Sequence, residues 1–282
     1  NGGGHMEYPK TGYLNEELRL FHLTDAGRRE FRYHYHDFHK LLLPLSGNVS
    51  YLIEGKHYHL EPGDAVLVRA GELHRPLVHD DAPYERIIAY ISPAWFDTCR
   101  AMGGDPSFVF EKHDGCDLIR LEGRTAAAAD RLRAAFGEED PNAVLLQKTI
   151  LLELLLLLCR MKRTGSLDSR SAVSHPLVLR IIEQINADLS ADLSIDAVAA
   201  RNFLSRSYLM NLFKKETGCT LGGYITEKRL WLARSLLRQG VSINEACARS
   251  GFANYANFYR AFKKRYGVSP READRLPAET EH

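Results

Sequence analysis

The stretch that most constrains this chain runs from Ser194 to Arg271, because it writes one short plan twice. In the first copy Ser194 is a helix N-cap, and Ile195, Val198 and Ala199 follow at helical spacing. The chain then turns through Asn202, Phe203 and Leu204, and Ser205 caps a second helix with the apolar stripe Leu209, Leu212 and Phe213. Gly218 closes that helix, as glycine does where the backbone must turn left-handed. In the second copy Ser242 caps Ile243–Arg249, Gly251 makes the turn, and Asn254 opens a helix reaching Tyr266–Gly267 with Phe252, Phe258 and Phe262 inward. Between the copies, Gly222–Arg238 reads as an amphipathic helix carrying Tyr224, Ile225, Leu230, Leu232, Ala233, Leu236 and Leu237. The spacing therefore predicts two helix-turn-helix units, about 194–217 and 242–266.

The outward faces of these units point to double-stranded DNA. Arg206, Ser207, Met210, Asn211 and Lys214 fall on the polar side of the first reading helix. On the second fall Asn254, Tyr255, Ala256, Asn257, Tyr259, Arg260, Lys263 and Lys264. Polar and basic side chains in the first turns of a helix are what reading a major groove requires. Asn211 suits adenine and Arg260 guanine by paired hydrogen bonds, although Arg260, next to the Phe258–Phe262 stripe, also suits a phosphate or a neighbouring carboxylate. Lys214, Lys215, Lys263 and Lys264, later in their helices, suit phosphate. From Ser194 to Arg271 there are fourteen Lys and Arg against four Asp and Glu, while the whole chain carries only +1, so the remainder is acidic. For roughly six to ten phosphate contacts, the log–log salt slope of binding would be about −5 to −9.

Several separated segments sharpen this. KKETGCTLGGYI (Lys214–Ile225), RLWLARSLL (Arg229–Leu237) and GFANYANFYRAFKKRYGVSP (Gly251–Pro270) closely resemble the AraC/XylS family of bacterial transcription regulators, in order and at the family's spacing. The resemblance covers the last third of the chain. It implies that the two units enter successive major-groove segments on one face of DNA, and that RNA polymerase is a further partner.

Composition sets bounds on the rest. A chain of 282 residues has room for two ordinary cores. With 45% hydrophobic and 26% charged residues, it has the make-up of a soluble globular protein. The five cysteines, Cys99, Cys116, Cys159, Cys219 and Cys247, are odd in number and scattered, which argues against a disulfide framework or zinc ribbon and for the cytoplasm. The longest apolar run, Leu154–Cys159, is too short for a membrane span, and no signal peptide is expected. Asn1–Met6 reads as a cloning or tag remnant.

The N-terminal half is written in short alternating stretches separated by turn residues. Strands are predicted at Leu18–Leu23, Phe31–His36, Lys40–Ser46, Val49–Glu54, Lys56–Leu60, Asp64–Arg69, Glu72–Val78 and Glu85–Ile91, with turns at Gly47–Asn48, Glu54–Gly55 and Pro62–Gly63. HYHDFHK (His34–Lys40) and GDAVLVRAGELHRP (Gly63–Pro76) resemble the two cupin motifs, which implies a barrel-shaped sensor domain of the kind many AraC/XylS regulators carry. Lys40 stands where the cupin motif has glutamate, and Arg69 where it has proline.

These departures bear on chemistry. His34 and His36, two apart on a strand, face the same side, and His74 approaches from the second motif. Three neutral imidazoles can hold Zn, Ni or Fe, but a cation at the glutamate position opposes a metal dication. The same histidines equally suit a polar small-molecule pocket or hydrogen bonding within the core. His39 substitutes as a ligand only if a bulge turns it inward, and His57 and His59 read as strand surface. No catalytic residues are expected, because an oxygenase or isomerase site needs an open metal or an acid/base pair.

After Ile91, a short helix is predicted at Pro93–Met102, a further strand at Cys116–Leu121, and helices at Gly123–Glu138 and Asn142–Arg163. The last is apolar nearly all round; Leu151, Leu154, Leu155 and Leu158 form a stripe suited to a partner helix, and family members dimerise here, which implies a homodimer. Thr164–Ser174 reads as a linker, and His175–Asp188 as the first helix of the C-terminal domain.

The expected architecture is α+β with two domains. A cupin-like β-barrel (8–121) with a helical pair (123–163) precedes a linker (164–174) and an all-α domain with two helix-turn-helix motifs (175–276). The expected function is a DNA-binding regulator sensing a small-molecule effector, for which family habit implies a sugar or sugar derivative. Two alternatives stand beside it: a metal-sensing or constitutive DNA-binding regulator, and a metal-dependent cupin enzyme with an accessory DNA-binding domain.

Overall fold

The computed structural model describes residues 16–26, 31, 33–111 and 117–275. The expected tag remnant at 1–6, the start of the sensor at 8–15, Arg32 within the predicted strand 31–36, Cys116 at the start of the predicted strand 116–121, and residue 276 lie outside them.

Strand-forming runs at the front and capped amphipathic runs at the back give an α+β chain in two parts. β1 (Leu18–Asp25), β7 (Tyr84–Ile91), β2 (His39–Pro44), β5 (Asp64–Val68) and β8 (Leu118–Arg120) form one sheet in that order. β6 (His74–Val78), β3 (Val49–Ile53), β4 (Lys56–His59) and β9 (Val173–Ser174) form the second. All the pairings are antiparallel. Successive side chains of the first sheet alternate between two apolar environments. Leu42, Val66, Val68, Ile88 and Tyr90 face the second sheet, with Val49, Tyr51, Ile53 and Tyr58 opposite. Leu41, Leu43, Ala65, Leu67, Ile87 and Ala89 face the other way, onto helices. A strand covered on both faces must be apolar at nearly every position, which is why β2, β5 and β7 are buried almost throughout.

The helical cover is α2 (Gly123–Ala135) and α3 (Ala143–Arg163), preceded by α1 (Pro93–Ala101), which Ser92 caps. Here the partner-helix expectation is corrected. Leu151, Leu154, Leu155 and Leu158 are fully enclosed in the monomer's own core against the sheet. Each such burial contributes about 1.5–3 kcal/mol, so the sheet has the first claim on that stripe. The apolar side chains α3 leaves outside are Val144, Leu145, Leu146 and Leu156.

Residues 164–174 connect the two parts, but they do so lying along the barrel. Arg170 pairs with Glu61 at 2.8 Å, Asp168 O accepts from Arg120 N at 2.9 Å, and β9 adds to the edge of β4. The predicted strand 31–36 is also different: its described part holds one isolated bridge, His34 to His74.

The C-terminal part begins with α4 (Pro176–Ala187), followed by α5 (Ile195–Arg201) and α6 (Arg206–Thr217) of the first unit. The long α7 (Leu221–Arg238) leads to α8 (Ile243–Arg249) and α9 (Tyr255–Tyr266) of the second. Ser194, Ser205, Thr220, Ser242 and Asn254 each cap a helix by accepting a backbone N–H, and Gly218 and Gly267 end α6 and α9 at φ of 77° and 76°. One helix serves both units. The start of α7 (Leu221, Tyr224, Ile225) packs with α4, α5 and α6, and its second half (Leu230, Ala233) packs with Cys247, Phe258 and Phe262. No helix among the described residues is long and apolar enough to cross a membrane.

Candidate nucleic-acid interface and sensor site

Burial of Leu209, Leu212 and Phe213 turns the opposite side of α6 to solvent. Arg206, Ser207, Met210, Asn211 and Lys214 are all exposed there, and so is Tyr208, which the sequence reading omitted. In α9, Phe258 and Phe262 face inward, leaving Tyr255, Ala256, Asn257, Arg260, Lys263 and Lys264 exposed and Tyr259 half-buried. Asn254, exposed, opens α9 as expected: its Oδ1 accepts Asn257 N–H at 2.9 Å, so the side chain holds the helix start. Arg260 donates to Asn257 Oδ1 at 2.6 Å and Arg206 pairs with Asp196 at 2.7 Å, both at the surface, where such contacts are weak and yield to a competing anion.

Several of the fourteen cations face protein instead of solvent. Lys228 donates to Glu54 at 2.7 Å and Arg234 pairs with Asp37 at 3.4 Å, both buried, whereas Arg238, which pairs with the same Asp37, stays exposed. Arg229 donates to Leu189 O at 2.9 Å and Ala191 O at 3.0 Å. Charge count alone did not separate these from the cations on the reading helices, because burial along α7 is set by what packs there: the sensor for Lys228 and Arg234, and the 189–191 loop for Arg229.

In the sensor, His34, His36 and His74 come together, with one nitrogen of each within 4.8 Å of the others. The backbone does this directly: His34 N–H donates to His74 O at 3.2 Å, and His74 N–H to His34 O at 2.9 Å. Phe38 stacks on His36 at 4.5 Å between ring centroids, and Tyr51 lies parallel to His74 at 5.9 Å. The His74 Nδ1 lies 2.9 Å from Glu72 O, a carbonyl that only accepts, so Nδ1 carries the proton and Nε2 offers a lone pair. That Nε2 is buried and has no hydrogen-bond partner among the described residues. Burial, then His34, His36 and Lys40 nearby, holds the His74 pKa well below the usual imidazole value, so it is neutral.

Lys40 itself is fully buried, donating to Tyr51 Oη at 2.8 Å. Arg69, at the other departure from the cupin pattern, sits in a separate buried network with Asp117 at 2.6 Å, Glu72 at 3.2 Å and Phe110 O at 2.8 Å. His39 packs by Phe96 and Phe110, away from the cluster, and burial with Arg69 nearby lowers its pKa to about 4. His59 is exposed, as strand surface should be, whereas His57 Nε2 lies 2.7 Å from Glu216 O of the C-terminal part.

Fold and faces together define a DNA-binding protein joined to a ligand-binding domain. A description of AraC-like ligand binding domains matches residues 21–155, and a helix-turn-helix domain description matches 189–275. The chain belongs to the AraC/XylS family of transcription regulators. It is 27% identical over 251 residues to the HTH-type transcriptional activator RhaR of Pectobacterium carotovorum, covering 85% of this chain and 84% of that one. It is 27% identical over 253 residues to the HTH-type transcriptional activator RhaS of Shigella sonnei, covering 86% and 87%. The C-terminal domain of AraT, a response regulator from Geobacillus stearothermophilus, is 33% identical over 36% of this chain and 85% of that chain, with a TM-score of 0.35.

Proposed function

We propose that this chain is a cytoplasmic transcriptional activator that recognises its operator through α6 and α9 and takes a small polar effector at His34, His36 and His74. The observation that carries the sensor reading is the buried Nε2 of His74, aimed at two other imidazoles and without a hydrogen-bond partner among the described residues. A sugar or sugar derivative fits, because its hydroxyl groups both donate and accept toward imidazole nitrogens. Thermal-shift screening with sugars tests this. A hit should stabilise the wild-type chain and not His36→Ala, and a variant that responds like wild type removes the cluster from the site.

In the DNA reading, Ser207, Met210, Asn211, Tyr255, Ala256, Tyr259 and Arg260 meet base edges, and Lys214, Lys215, Lys263 and Lys264 meet phosphates. With those four lysines on phosphates, the expected salt slope is about −4. A slope near zero on duplex DNA would overturn electrostatically driven binding.

A second reading concerns metal. The three imidazoles fit a Zn, Ni or Fe ion with open positions, since their nitrogens converge and His74 has the tautomer a ligand needs. Such an ion would supply a Lewis-acidic point for an effector's oxygen atoms. Buried Lys40 opposes it by charge. Elemental analysis of purified protein, with His74→Ala as the control, separates the metal sensor from the metal-free one, and a turnover assay addresses the enzyme alternative. The activator reading brings RNA polymerase as a partner. A homodimer uses Val144, Leu145, Leu146 and Leu156 on α3, so Leu145→Glu should give monomers in light scattering.

A further inference from the structure

The outward face of α6 carries its charge only at its ends. Leu209, Leu212, Phe213 and Thr217 are buried, which fixes the rotation of the helix and turns Ser207, Met210 and Asn211 outward together. At about 100° per residue, these three fall within roughly a third of the helix's circumference, with Ser207 between the other two. Ahead of them Arg206 is drawn aside to Asp196 of α5 at 2.7 Å, and Lys214 stands one turn further on. The middle of the face is therefore a hydroxyl, a thioether and a carboxamide, with no charge. Met210 is 39% exposed there, although Leu209 beside it is fully buried. The packing that buries Leu209 is what holds the apolar arm of Met210 out toward the groove.

The second unit is built differently at the same place. Asn211 is the sixth residue of α6, and the sixth residue of α9 is Arg260. Arg260 is exposed and steered by Asn257, whose Oδ1 accepts from it at 2.6 Å, and the counterpart of Met210, Tyr259, is half-buried. A guanidinium matches the paired acceptors of guanine, whereas the carboxamide of Asn211 matches the donor and acceptor of adenine. Across the pair from adenine stands thymine, whose C5-methyl is the one apolar group that a base edge presents in the major groove. A G·C pair has no such group, and an apolar arm laid over it would only strip water from polar edges. An unbranched, polarisable thioether suits a methyl group whose position shifts with local DNA shape.

We infer that Met210 reads the C5-methyl group of a thymine, and that Met210 and Asn211 together make the subsite of α6 an A·T one. Asn211 takes the adenine edge by hydrogen bonds, and Met210 takes the methyl group by excluding water from it. The two contributions obey different physics from those of the lysines. Lys214 and Lys215 act through phosphate charge and weaken with salt, while an apolar contact releases no counterion and sets base preference at any ionic strength. The inference rests on the reading of α6 as a helix that meets base edges.

The test removes the methyl group from the DNA. Full-length wild type is used to select an operator from random-sequence duplex DNA. Each thymine of that operator is then replaced in turn by uracil, which lacks the methyl group and keeps every hydrogen-bonding group of the base. Affinities are measured for wild type, Met210→Ala and Met210→Leu. One thymine, at or next to the position whose preference Asn211→Ala relaxes, should stand out. Its replacement should weaken wild type about fourfold, the worth of one methyl-sized group taken out of water. Met210→Ala should bind the thymine operator as weakly as wild type binds the uracil one, and lose nothing further on uracil. Met210→Leu, which keeps an apolar arm, should stay sensitive. The salt slope of Met210→Ala should equal that of wild type. The inference is overturned if no uracil in that subsite weakens wild type, or if Met210→Ala stays as sensitive as wild type, which would give the methyl group to another side chain. A salt slope that changes with Met210→Ala overturns it too. Met210 lies outside the core and alanine favours a helix, so the variant keeps its fold. Failure of the underlying reading is seen separately, as an Asn211→Ala variant that loses affinity equally for every sequence.

Discussion

The two helix-turn-helix units solve one problem, a turn that needs a left-handed residue, in two different ways. In the second unit that residue is Gly251, at φ of 85°. A Cβ there would lie 2.0 Å from Leu189 O and 2.8 Å from Arg229 Nε. Arg229 is itself holding the 189–191 loop by its carbonyls, so the turn of the second unit is roofed by the entry to the first. In the first unit the left-handed residue is Phe203, at φ of 56°, and it is 97% exposed. The neighbouring Asn202 is buried and anchors this turn, donating to Gln184 Oε1 and Val198 O, both at 2.9 Å. The same backbone bend is thus forced to be glycine by a neighbour in one unit and merely strained in the other. The exposed faces, by contrast, share one charge order: neutral Ser207, Met210 and Asn211 precede Lys214 and Lys215 on α6, as Tyr255, Ala256 and Asn257 precede Lys263 and Lys264 on α9.

The sharpest way to break this comparison is Gly251→Ala. The new methyl group displaces the Leu189 carbonyl and the Arg229 bonds, and chemical denaturation should show a loss of about 3 kcal/mol or more. A loss under ~1 kcal/mol would mean the roof is loose and the two turns are equivalent.

The reading faces come next. Asn211→Ala should relax preference at one or two base pairs, worth about 1–3 kcal/mol of discrimination, in a binding-site selection experiment. Lys263→Ala should weaken all sequences alike and flatten the salt slope by about one unit. If Asn211→Ala lowers affinity for every sequence equally, the first unit does not read bases through that residue.

The smallest expected effect belongs to the exposed turn. Phe203→Gly relieves left-handed strain of about 1–2 kcal/mol and adds unfolded-state freedom of roughly 0.5–1 kcal/mol, for a net gain of about 0.5 kcal/mol. Operator affinity should not change. A fall in affinity would show that the ring, useless to the core, reaches DNA.

Much of this was legible in residue order. Ser194, Ser205, Ser242 and Asn254 as caps, Gly218 as a helix end, and the Phe258–Phe262 stripe all act through neighbours within a turn or two of chain, so local pattern suffices. The pairing of His34 and His36 with His74 followed from strand alternation and motif resemblance. The stripe at Leu151–Leu158 was misassigned for a definite reason. Periodicity says that a helix face must be covered, and it is silent on whether a sheet of the same chain or a second chain covers it.

By itself, the sequence determined two capped reading units and a strand-rich sensor, because each depends on spacing along the chain; that His74 joins His34 and His36 was implied only by resemblance to the cupin motifs. The tertiary structure alone decided which cations are left for DNA, since Lys228, Arg229 and Arg234 look like their neighbours until the partners of each are known. It also decided that Tyr35, Asp37 and Leu73 belong to the DNA-binding part. A strand's alternation separates two faces, but only packing between residues far apart in the chain says what each face touches.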